Sequence, residues 1–476
     1  MNKPNIIFLI EDQMQQGILN QPDCIVPNMR KLMADGIEFD HAYTCNAICS
    51  PARASLLTGT LPHTHGMVDC THTVPPYRAE YDYKLDTLTN ALCEEGYGIS
   101  YYGKWHIERS HDLSRFGIER YETEVYMPKH PATMIDRMVI KTPGYQDKTI
   151  CGVFSEGEAQ TDEHYVYDRS MEYMLECKKK GKTFCSFLST NAPHDPYCVP
   201  KEIYDLYADK AVRLPENHYD SMQDKPVIYR RMREALGDLK RADFEKVMRC
   251  YYAYCTLVDI QIGRLIAFLK EHDLYDNTLI VLMSDHGDMM GAHGMMMKSV
   301  PCFEEIYHIP LIMKMPQQEK AGTTAGFYVG TPEIASTVLE LAGCRKLKGK
   351  HIGESFLPWL KGEKTDKRHA FAEFFGQRFF YTQRIYWQDD MKYVFNAFDE
   401  DELYDLKNDP HELINVSKQA DYQEIKRELC RQMWEIIKDT EDSTLADAEY
   451  YLMRFAPVGP GEKKQMGNYT LYNKTF

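Results

Sequence analysis

The chain has 476 residues, 43% of them hydrophobic, and a formal net charge of −15. This length and composition indicate a globular protein with two or three domains, or with one large α/β domain and a smaller partner, and they exclude a disordered or fibrous chain. Because nucleic acids and anionic membranes bind basic surfaces, we expect neither as a partner, and any positive charge that binds an anion must be local.

The apolar runs and the cysteines bear on where the protein resides. No apolar run approaches the 18 residues of a membrane-spanning helix. The N-terminal apolar segment meets Glu11 and Asp12 and is followed by no small-residue cleavage site, so we expect a cytoplasmic protein. The 14 cysteines include no Cys-x-x-Cys pair, which favours reduced and mostly buried thiols.

Short β-rich runs alternate with amphipathic helical patterns over about the first 340 residues. This alternation predicts a wound α/β domain with a parallel or mixed sheet. One predicted helix begins at Pro27 and ends at Gly36, and the longest covers residues 244–269, where apolar side chains recur every three or four positions. The five predicted strands that matter most are 5–10, 98–102, 183–188, 279–283 and 309–313.

The composition of the sequence changes near residue 370. Aromatic segments with the pattern of strands, and a later helical pattern, predict a smaller C-terminal α+β subdomain over residues 369–476. It follows a main domain over residues 1–368. The aromatic run from Phe374 to Tyr381 has the spacing of core strand residues, with stacking on a sugar ring as the second interpretation. A Tyr-rich tail from Tyr450 would cover a neighbouring subunit in a homo-oligomer.

Polar residues follow four of the predicted strands. Each group alone would be interpreted as a turn or a cap, but the carboxyl ends of wound strands form the ligand crevice of such sheets. Four groups that meet at one edge therefore predict a binding site. The residues are Asp12 and Gln13, Lys104 and His106, His194, and Asp285 and His286. We expect His63, His65 and His293 to shape turns and Asp288 to cap its loop.

A short predicted helix follows Cys49. Pro51 suits its first helical position and Gly59 its end, which would place Cys49 at a helix N-terminus, where an anion or a thiolate is stabilised. A lone cysteine in such a place is more often inert.

These segments resemble, in chain order, the motifs of the type I sulfatases, which depend on formylglycine and belong to the alkaline phosphatase superfamily. CSPARASLLTG closely resembles the signature C-x-P-S-R-x-x-L-L-T-G. NIIFLIEDQ, GKWH, NAPHDP and SDHGDMMGAHGMMMKS resemble the first metal strand, the lysine–histidine loop, the substrate histidine loop and the second metal strand with its lysine. The resemblance covers residues 4 to 416 and implies an alkaline-phosphatase-like large mixed sheet flanked by helices, with residues 1–368 as the catalytic domain.

The resemblance also implies a mechanism. Cys49 would be oxidised to Cα-formylglycine by a maturase of the radical-SAM type, and one hydroxyl of the hydrated aldehyde would attack sulfur while the other later expels sulfate. Arg53 would hold the diol, Lys104 and Lys298 would bind the sulfonyl oxygens, His106 would act as the base and His194, with Lys298, as the acid. The implied ligands of one divalent cation, Ca²⁺ first and Mn²⁺ or Mg²⁺ as alternatives, are Asp12, Gln13, Asp285, His286 and the modified Cys49.

Some residues depart from the usual sulfatase pattern. Gln13 replaces a second aspartate and His286 replaces an asparagine, a combination also found in phosphonate monoester hydrolases, whereas Lys104 and His106 favour a sulfatase. Three hypotheses follow: a sulfatase acting on a sulfated carbohydrate or another small metabolite, a phosphonate monoester or phosphodiester hydrolase, and a non-catalytic anion-binding relative with unmodified Cys49. The sequence does not identify the alcohol part of the substrate.

Overall fold

The structure is a computed structural model that describes residues 3–72, 81–125, 133–237, 239–364, 367–397, 399–446 and 454–460. Tyr450 and residues 461–476 of the predicted aromatic tail lie outside the described residues. The strands are β1 (Asn5–Glu11), β2 (Ile37–Tyr43), β3 (Gly98–Gly103), β4 (Arg120–Thr123), β5 (Met134–Ile140), β6 (Lys148–Phe154), β7 (Phe184–Thr190), β8 (Tyr197–Pro200), β9 (Thr278–Ser284), β10 (Leu311–Lys314), β11 (Thr323–Gly330), β12 (His369–Phe374), β13 (Gln383–Gln388), β14 (Met391–Asn396) and β15 (Glu402–Asp405). The helices are α1 (Pro27–Asp35), α2 (Cys49–Thr58), α3 (Pro62–His65), α4 (Leu88–Glu94), α5 (Asp162–Lys179), α6 (Lys201–Tyr204), α7 (Val227–Glu234), α8 (Arg241–Glu271), α9 (Glu304–Tyr307), α10 (Thr331–Leu341), α11 (Leu357–Leu360), α12 (Gln423–Asp439) and α13 (Ser443–Ala446).

The main sheet has eight strands in the order β11-β2-β10-β9-β1-β7-β3-β4. Only β10 runs antiparallel to its neighbours within this sheet, so the predicted large mixed sheet is confirmed. Alternate residues of β1 face two different cores: Ile7 and Leu9 pack with α1, α5 and α8, whereas Ile6 and Phe8 pack with α2, α4 and α10. Helices therefore cover both faces, which is why the central strands consist almost entirely of apolar residues.

The long helix α8 passes a length and composition test for a membrane-spanning helix, so the expectation that no stretch is apolar enough was wrong for this segment. In the fold, however, 67% of its apolar window is buried. The helix packs against α1 and α5 in the larger hydrophobic core. Its apolar face is thus covered by protein, as is usual for a core helix.

Two smaller sheets accompany the main one. Strands β5, β6 and β8 form a three-stranded sheet, and β12 to β15 form a four-stranded antiparallel sheet against which α12 packs. The backbone of Glu373 in β12 binds the segment just before α2, with Glu373 N donating to Cys45 O at 2.9 Å and Asn46 Nδ2 donating to Glu373 O at 2.6 Å. The C-terminal sheet thereby supports the helix that begins at Cys49. The boundary between residues 368 and 369 stays a prediction.

Two local predictions were wrong. Helix α2 begins at Cys49 itself, so Pro51 is its third residue and not its first. The aromatic run is not one strand: β12 ends at Phe374, which is buried, and the chain then forms a loop in which Phe379 and Phe380 are 42% and 69% exposed. The sequence did not reveal this break, because a loop that contains several aromatic residues has the same composition as a core strand.

Candidate active site

The ends of four parallel strands meet at one edge of the main sheet. Glu11, the last residue of β1, pairs with Thr190 in β7 and with Ser284 in β9, and Gly103 of β3 pairs with Ser189. The residues that follow these strands are therefore brought together by the register of the sheet. They include Asp12, Lys104, His194, Asp285 and His286.

Helix α2 brings a fifth group to the same edge. All ten of its residues are buried, and it ends at Gly59, whose φ of 67° is left-handed. Cys49 and Arg53 are four residues apart and so lie on one face, one turn from each other. Because the helix begins at Cys49, its free N–H groups lie next to this side chain, which is 1% exposed.

Arg53 fixes the two aspartates. Its Nε donates to Asp285 Oδ2 at 2.7 Å and its Nη2 to Asp12 Oδ2 at 3.0 Å. Its Nη1 donates to Ser189 Oγ at 2.7 Å and to Lys104 O at 3.0 Å. Buried ion pairs are stable only when the remaining donors and acceptors are satisfied, and Arg53 meets this condition. It leaves Oδ1 of both aspartates without a contact to the guanidinium, and Asp12 Oδ1 lies 3.9 Å from Cys49 Sγ.

Ligand atoms of Asp12, Cys49, Asp285 and His286 lie within 4.8 Å of one another, and all four residues are buried. The Nε2 atom of His286 lies 3.1 Å from Cys49 Sγ, 3.8 Å from Asp285 Oδ1 and 3.9 Å from Asp12 Oδ1. The neutral ring donates Nδ1–H to Gly287 O at 2.9 Å, which turns the lone pair of Nε2 toward the cluster. This convergence of carboxylate oxygens and one imidazole nitrogen fits a divalent cation.

Gln13 lies beside this cluster in a left-handed backbone conformation, with φ of 68°. Its backbone N–H donates to Asp285 Oδ1 at 3.2 Å. Its side-chain Nε2 donates to Asp288 Oδ2, and its Oε1 accepts from Lys298 Nζ. Because a carboxylate only accepts and an ammonium only donates, the direction of the amide is fixed.

Asp288 has two functions in this arrangement. Its Oδ1 accepts from Met290 N at 2.8 Å and Met297 N at 2.9 Å, which confirms that it caps its loop. Its Oδ2 accepts from Tyr197 OH at 2.6 Å as well as from Gln13. Burial raises the pKa of the Asp288 carboxyl, while Tyr197 and Gln13 lower it. The contact with Gln13 was not foreseen from the sequence, and the only signal for it is the Asp288 carboxylate close after Asp285.

Two lysines supply the local positive charge that an acidic protein needs to bind an anion. Lys104 Nζ lies 2.5 Å from Asp12 Oδ2 and 3.8 Å from Cys49 Sγ, and Lys298 Nζ contacts His194 Nε2. Burial alone would raise the pKa of the Cys49 thiol, but Lys104 and Lys298 hold it well below its usual value. The position of residue 49 thus favours a negative charge.

The two predicted proton-transfer histidines make different contacts near Cys49. His194 accepts from Lys298 at Nε2, so its neutral ring carries the proton on Nδ1, which donates to Asp195 O at 2.5 Å. His106 has a positive φ of 49°, and its proximity helps to lower the pKa of Cys49. Its Nε2 lies 3.2 Å from Nδ1 of His72, a residue that the sequence analysis did not single out.

Other polar residues lie outside the site. Glu11, one position before Asp12, accepts from Thr190 and Tyr167 instead of facing the cluster, and burial raises its pKa to about 8. The three turn histidines each bind a structural partner. These contacts are His63 with Glu373, His65 with Ser55 and His293 with Asp220.

Comparison with known protein families gives two matches. The family model described as "Sulfatase" matches residues 4–344, and the model described as "N-sulphoglucosamine sulphohydrolase, C-terminal" matches residues 291–439. Together they span most of the chain. The second model includes the C-terminal sheet and α12.

Individual proteins show the same likeness. The chain is 28% identical to the "Uncharacterized sulfatase YidJ" of Escherichia coli (strain K12), over 90% of this chain and 86% of that protein. It is 26% identical to the N-acetylglucosamine-6-O-sulfatase of Bacteroides thetaiotaomicron, over 98% of this chain and 91% of that protein.

Solved structures share the fold. One is described as bound to its substrate D-glucosamine-2-N,6-O-disulfate; the TM-score is 0.75 and the identity 23%, over 93% of this chain and 99% of that one. Another is the phosphonate monoester hydrolase of Agrobacterium radiobacter, with a TM-score of 0.75 and 22% identity over 91% of this chain and 95% of that one. At these identities the structural likeness concerns the fold alone.

Proposed function

The chain belongs to the sulfatase family and is a sulfatase, and we propose that it hydrolyses the sulfate monoester of a sulfated carbohydrate or another small metabolite, with formylglycine at position 49 and one divalent cation. The proposal rests on one observation. Cys49, two aspartates and a histidine form a buried cluster beside Lys104 and Lys298. This arrangement combines a nucleophile position with an anion site.

The cation would be held by Asp12, Asp285, His286 and Gln13. Arg53 orients Asp12 and Asp285, and Asp288 orients Gln13. When bound, a divalent cation lowers the pKa of a coordinated hydroxyl and draws negative charge from the transferring group. We propose Ca²⁺ because most of the donors are oxygens, with Mn²⁺ or Mg²⁺ as alternatives that the imidazole allows.

The Sγ atom of Cys49 stands in for a hydroxyl oxygen on the β-carbon of the converted residue. Hydration of the formylglycine aldehyde supplies the nucleophilic hydroxyl. The ammonium group of Lys104 lies on one side of this position and that of Lys298 near it, so together they would bind the sulfonyl oxygens. Arg53 already donates hydrogen bonds to protein groups. We therefore propose that it orients Asp12 and Asp285, in addition to any contact with the diol.

Two proton transfers follow from the contacts of the histidines. The proton nearest to His194 Nε2 belongs to Lys298, so this pair would together protonate the leaving alcohol oxygen. His106 borders residue 49, and we propose that its Nε2 takes the proton from the second hydroxyl once that atom exchanges its contact with His72 for the hydroxyl. Separate residues for acid and base allow both steps in one cavity.

The second candidate function is hydrolysis of a phosphonate monoester. Gln13 and His286 favour it, because this pair resembles the metal ligands of phosphonate monoester hydrolases, and such an enzyme shares the fold. Lys104 and His106 favour sulfate, by the resemblance of their loop to the sulfatase motif. A binding protein with unmodified Cys49 is the third candidate, and the same experiment decides among all three.

The test uses protein produced together with a formylglycine-generating maturase, which we propose to be of the radical-SAM type acting in the cytoplasm. Hydrolysis of 4-nitrophenyl sulfate is compared with that of a phenyl phosphonate monoester, and the mass of the peptide containing residue 49 is measured. Cys49→Ala should abolish hydrolysis, whereas Cys93→Ala, which replaces an exposed cysteine on α4, should not. Faster phosphonate hydrolysis would support the second candidate, and converted protein without hydrolysis would contradict both enzymatic functions. Protein that retains the Cys49 thiol after production with the maturase and hydrolyses neither substrate would support the binding protein.

A further inference from the structure

A loop of the C-terminal region reaches the opening of the active site. Arg378, in the loop after β12, has an exposed side chain and a left-handed φ of 62°. Its backbone N–H donates to Asp69 Oδ2 at 2.8 Å, and its Nη2 donates to His72 Nε2 at 3.0 Å. The guanidinium is thus held over the segment that follows α3, and its side chain makes no ion pair with a carboxylate of the described residues.

Two imidazole rings connect this guanidinium to residue 49. The rings of His72 and His106 are nearly parallel, with 12° between their planes and 5.4 Å between their centroids. His72 Nδ1 lies 3.2 Å from His106 Nε2. Since His106 borders Cys49, Arg378 lies two side chains away from the position of the scissile sulfate.

The direction of these hydrogen bonds argues against a metal site here, although Cys70, His72 and His106 place ligand atoms close together. Arginine only donates, so the Nε2 of His72 accepts, and in the neutral ring Nδ1 carries the hydrogen that points to His106. A metal bound at Nδ1 would require the opposite tautomer. Only Nη2 of Arg378 donates to His72, so the other N–H groups of its guanidinium are directed away from this ring.

Aromatic surface adjoins this cation. Phe379, which follows Arg378 directly, is 42% exposed. Exposed aromatic faces beside a polar group offer the apolar surface on which a sugar ring stacks. An exposed arginine is also well suited to bind two oxygens of one anion, because its donors are planar and fixed.

We propose that Arg378, oriented by His72, forms a subsite for a second anionic group of the substrate, a carboxylate or a second sulfate on the same saccharide, with Phe379 against the sugar. The inference rests on the proposed sulfatase function and narrows its substrate class to sulfated saccharides with at least two anionic groups. In a protein with a net charge of −15, such a substrate needs local positive charge at the opening of the site as well as within it.

The experiment measures kcat and KM for sulfate release by matured enzyme from three substrates. One is N-acetylglucosamine 6-sulfate, and the other two, N-sulfoglucosamine 6-sulfate and N-acetylglucosamine 3,6-disulfate, carry one more anionic group. We expect wild type to prefer at least one dianionic partner in kcat/KM by about 10-fold or more, since a charge-assisted contact has this magnitude. Arg378→Gln should remove the preference, mainly through KM, and Arg378→Lys should retain part of it.

The matched control is Arg431→Gln, which removes an exposed arginine of α12 that pairs with Glu428. It should leave the preference intact. The subsite is refuted if wild type releases sulfate from all three substrates without preferring either dianion, or if Arg378→Gln reduces kcat/KM for every substrate by one common factor. Failure of matured wild type to release sulfate from any substrate, aryl sulfate included, would contradict the proposed function instead.

Discussion

Replacing Asp288 by asparagine tests how the amide of Gln13 is held. In the structure both oxygens of Asp288 accept hydrogen bonds, one from two backbone N–H groups and the other from Gln13 Nε2 and Tyr197 OH. An asparagine has only one oxygen, so its NH₂ group must face either the backbone donors or Gln13. If the backbone contacts are kept, the Gln13 amide has to rotate and turn its own NH₂ group toward Lys298 and the cation site.

The expected loss can be estimated from this rotation. Substitution of a residue that orients a metal ligand typically weakens metal binding by about 10- to 100-fold. At a Ca²⁺ concentration of about 100 times the wild-type Kd, the metal stabilises wild type by about 2.7 kcal/mol, and the variant should lose about 1.3 to 2.3 kcal/mol of this increment. The free energy of unfolding without metal should fall too, because a buried charge-assisted hydrogen bond is lost.

The assay is denaturant unfolding of the full chain with and without Ca²⁺, accompanied by calorimetric measurement of the Ca²⁺ affinity. The diagnostic quantity is the metal-dependent increment, which is the increase in the free energy of unfolding when Ca²⁺ is added. General destabilisation lowers the free energy of unfolding alike with and without Ca²⁺ and so does not change this increment. Asp259→Asn is the matched control: this buried carboxylate binds the backbone at the start of α1, away from the site, and its loss should leave the increment unchanged. An Asp288→Asn protein that binds Ca²⁺ as tightly as wild type would refute the reasoning.

Two further predictions concern the anion site and the support of α2. Lys298→Ala should lower kcat by at least about 100-fold with little change in melting temperature, because the ammonium contacts Gln13 and His194 within the site; equal losses in turnover and stability would indicate a structural lysine. Burial alone would lower the pKa of His63, but the Glu373 carboxylate raises it to about 9 from 6.5, so this pair stabilises the fold fully below pH 6.5 and its contribution is lost as the pH rises through 9. Glu373→Gln should therefore cost at most about 3 kcal/mol more at pH 6 than at pH 9.5 in denaturant unfolding, and a difference independent of pH would contradict the assignment.

Much of the site could be predicted from the ends of strands. Asp12, Lys104 and Asp285 each follow a strand of the main sheet, and parallel strands necessarily bring their carboxyl ends to one edge. The placement of Cys49 and Arg53 required only that a short buried helix be recognised, although its first residue was misjudged. These features depend on periodicity and on chain order, which a sequence shows directly.

The contacts that orient these groups could not be predicted in the same way. Gln13 and Asp288 are separated by 275 positions, and the direction of the amide depends on which oxygen of Asp288 is taken by the backbone of its own loop. Arg378 and His72 are separated by 306 positions and meet only because the C-terminal sheet packs beside α2. Such pairings depend on tertiary packing, for which a single sequence carries no periodic signal.

The exposed aromatic residues illustrate a further limit. Phe374 and Phe380 belong to one aromatic run, yet the first is buried in β12 and the second is largely exposed. Gly376 separates them with a φ of 101°, and a β-carbon there would lie 1.8 Å from Phe379 O. The turn at this glycine, and not the composition of the run, decides which rings face solvent.

In the proposed mechanism, the converted residue 49 performs the hydrolysis. The most direct measurement determines, in preparations made with increasing amounts of maturase, both the fraction of residue 49 present as aldehyde and the rate of sulfate release from one sulfate ester. The rate should rise with the aldehyde fraction along a straight line through the origin, with no turnover when the thiol is fully retained. Turnover that persists in protein without any aldehyde, or that fails to rise as the aldehyde fraction increases, would contradict this mechanism.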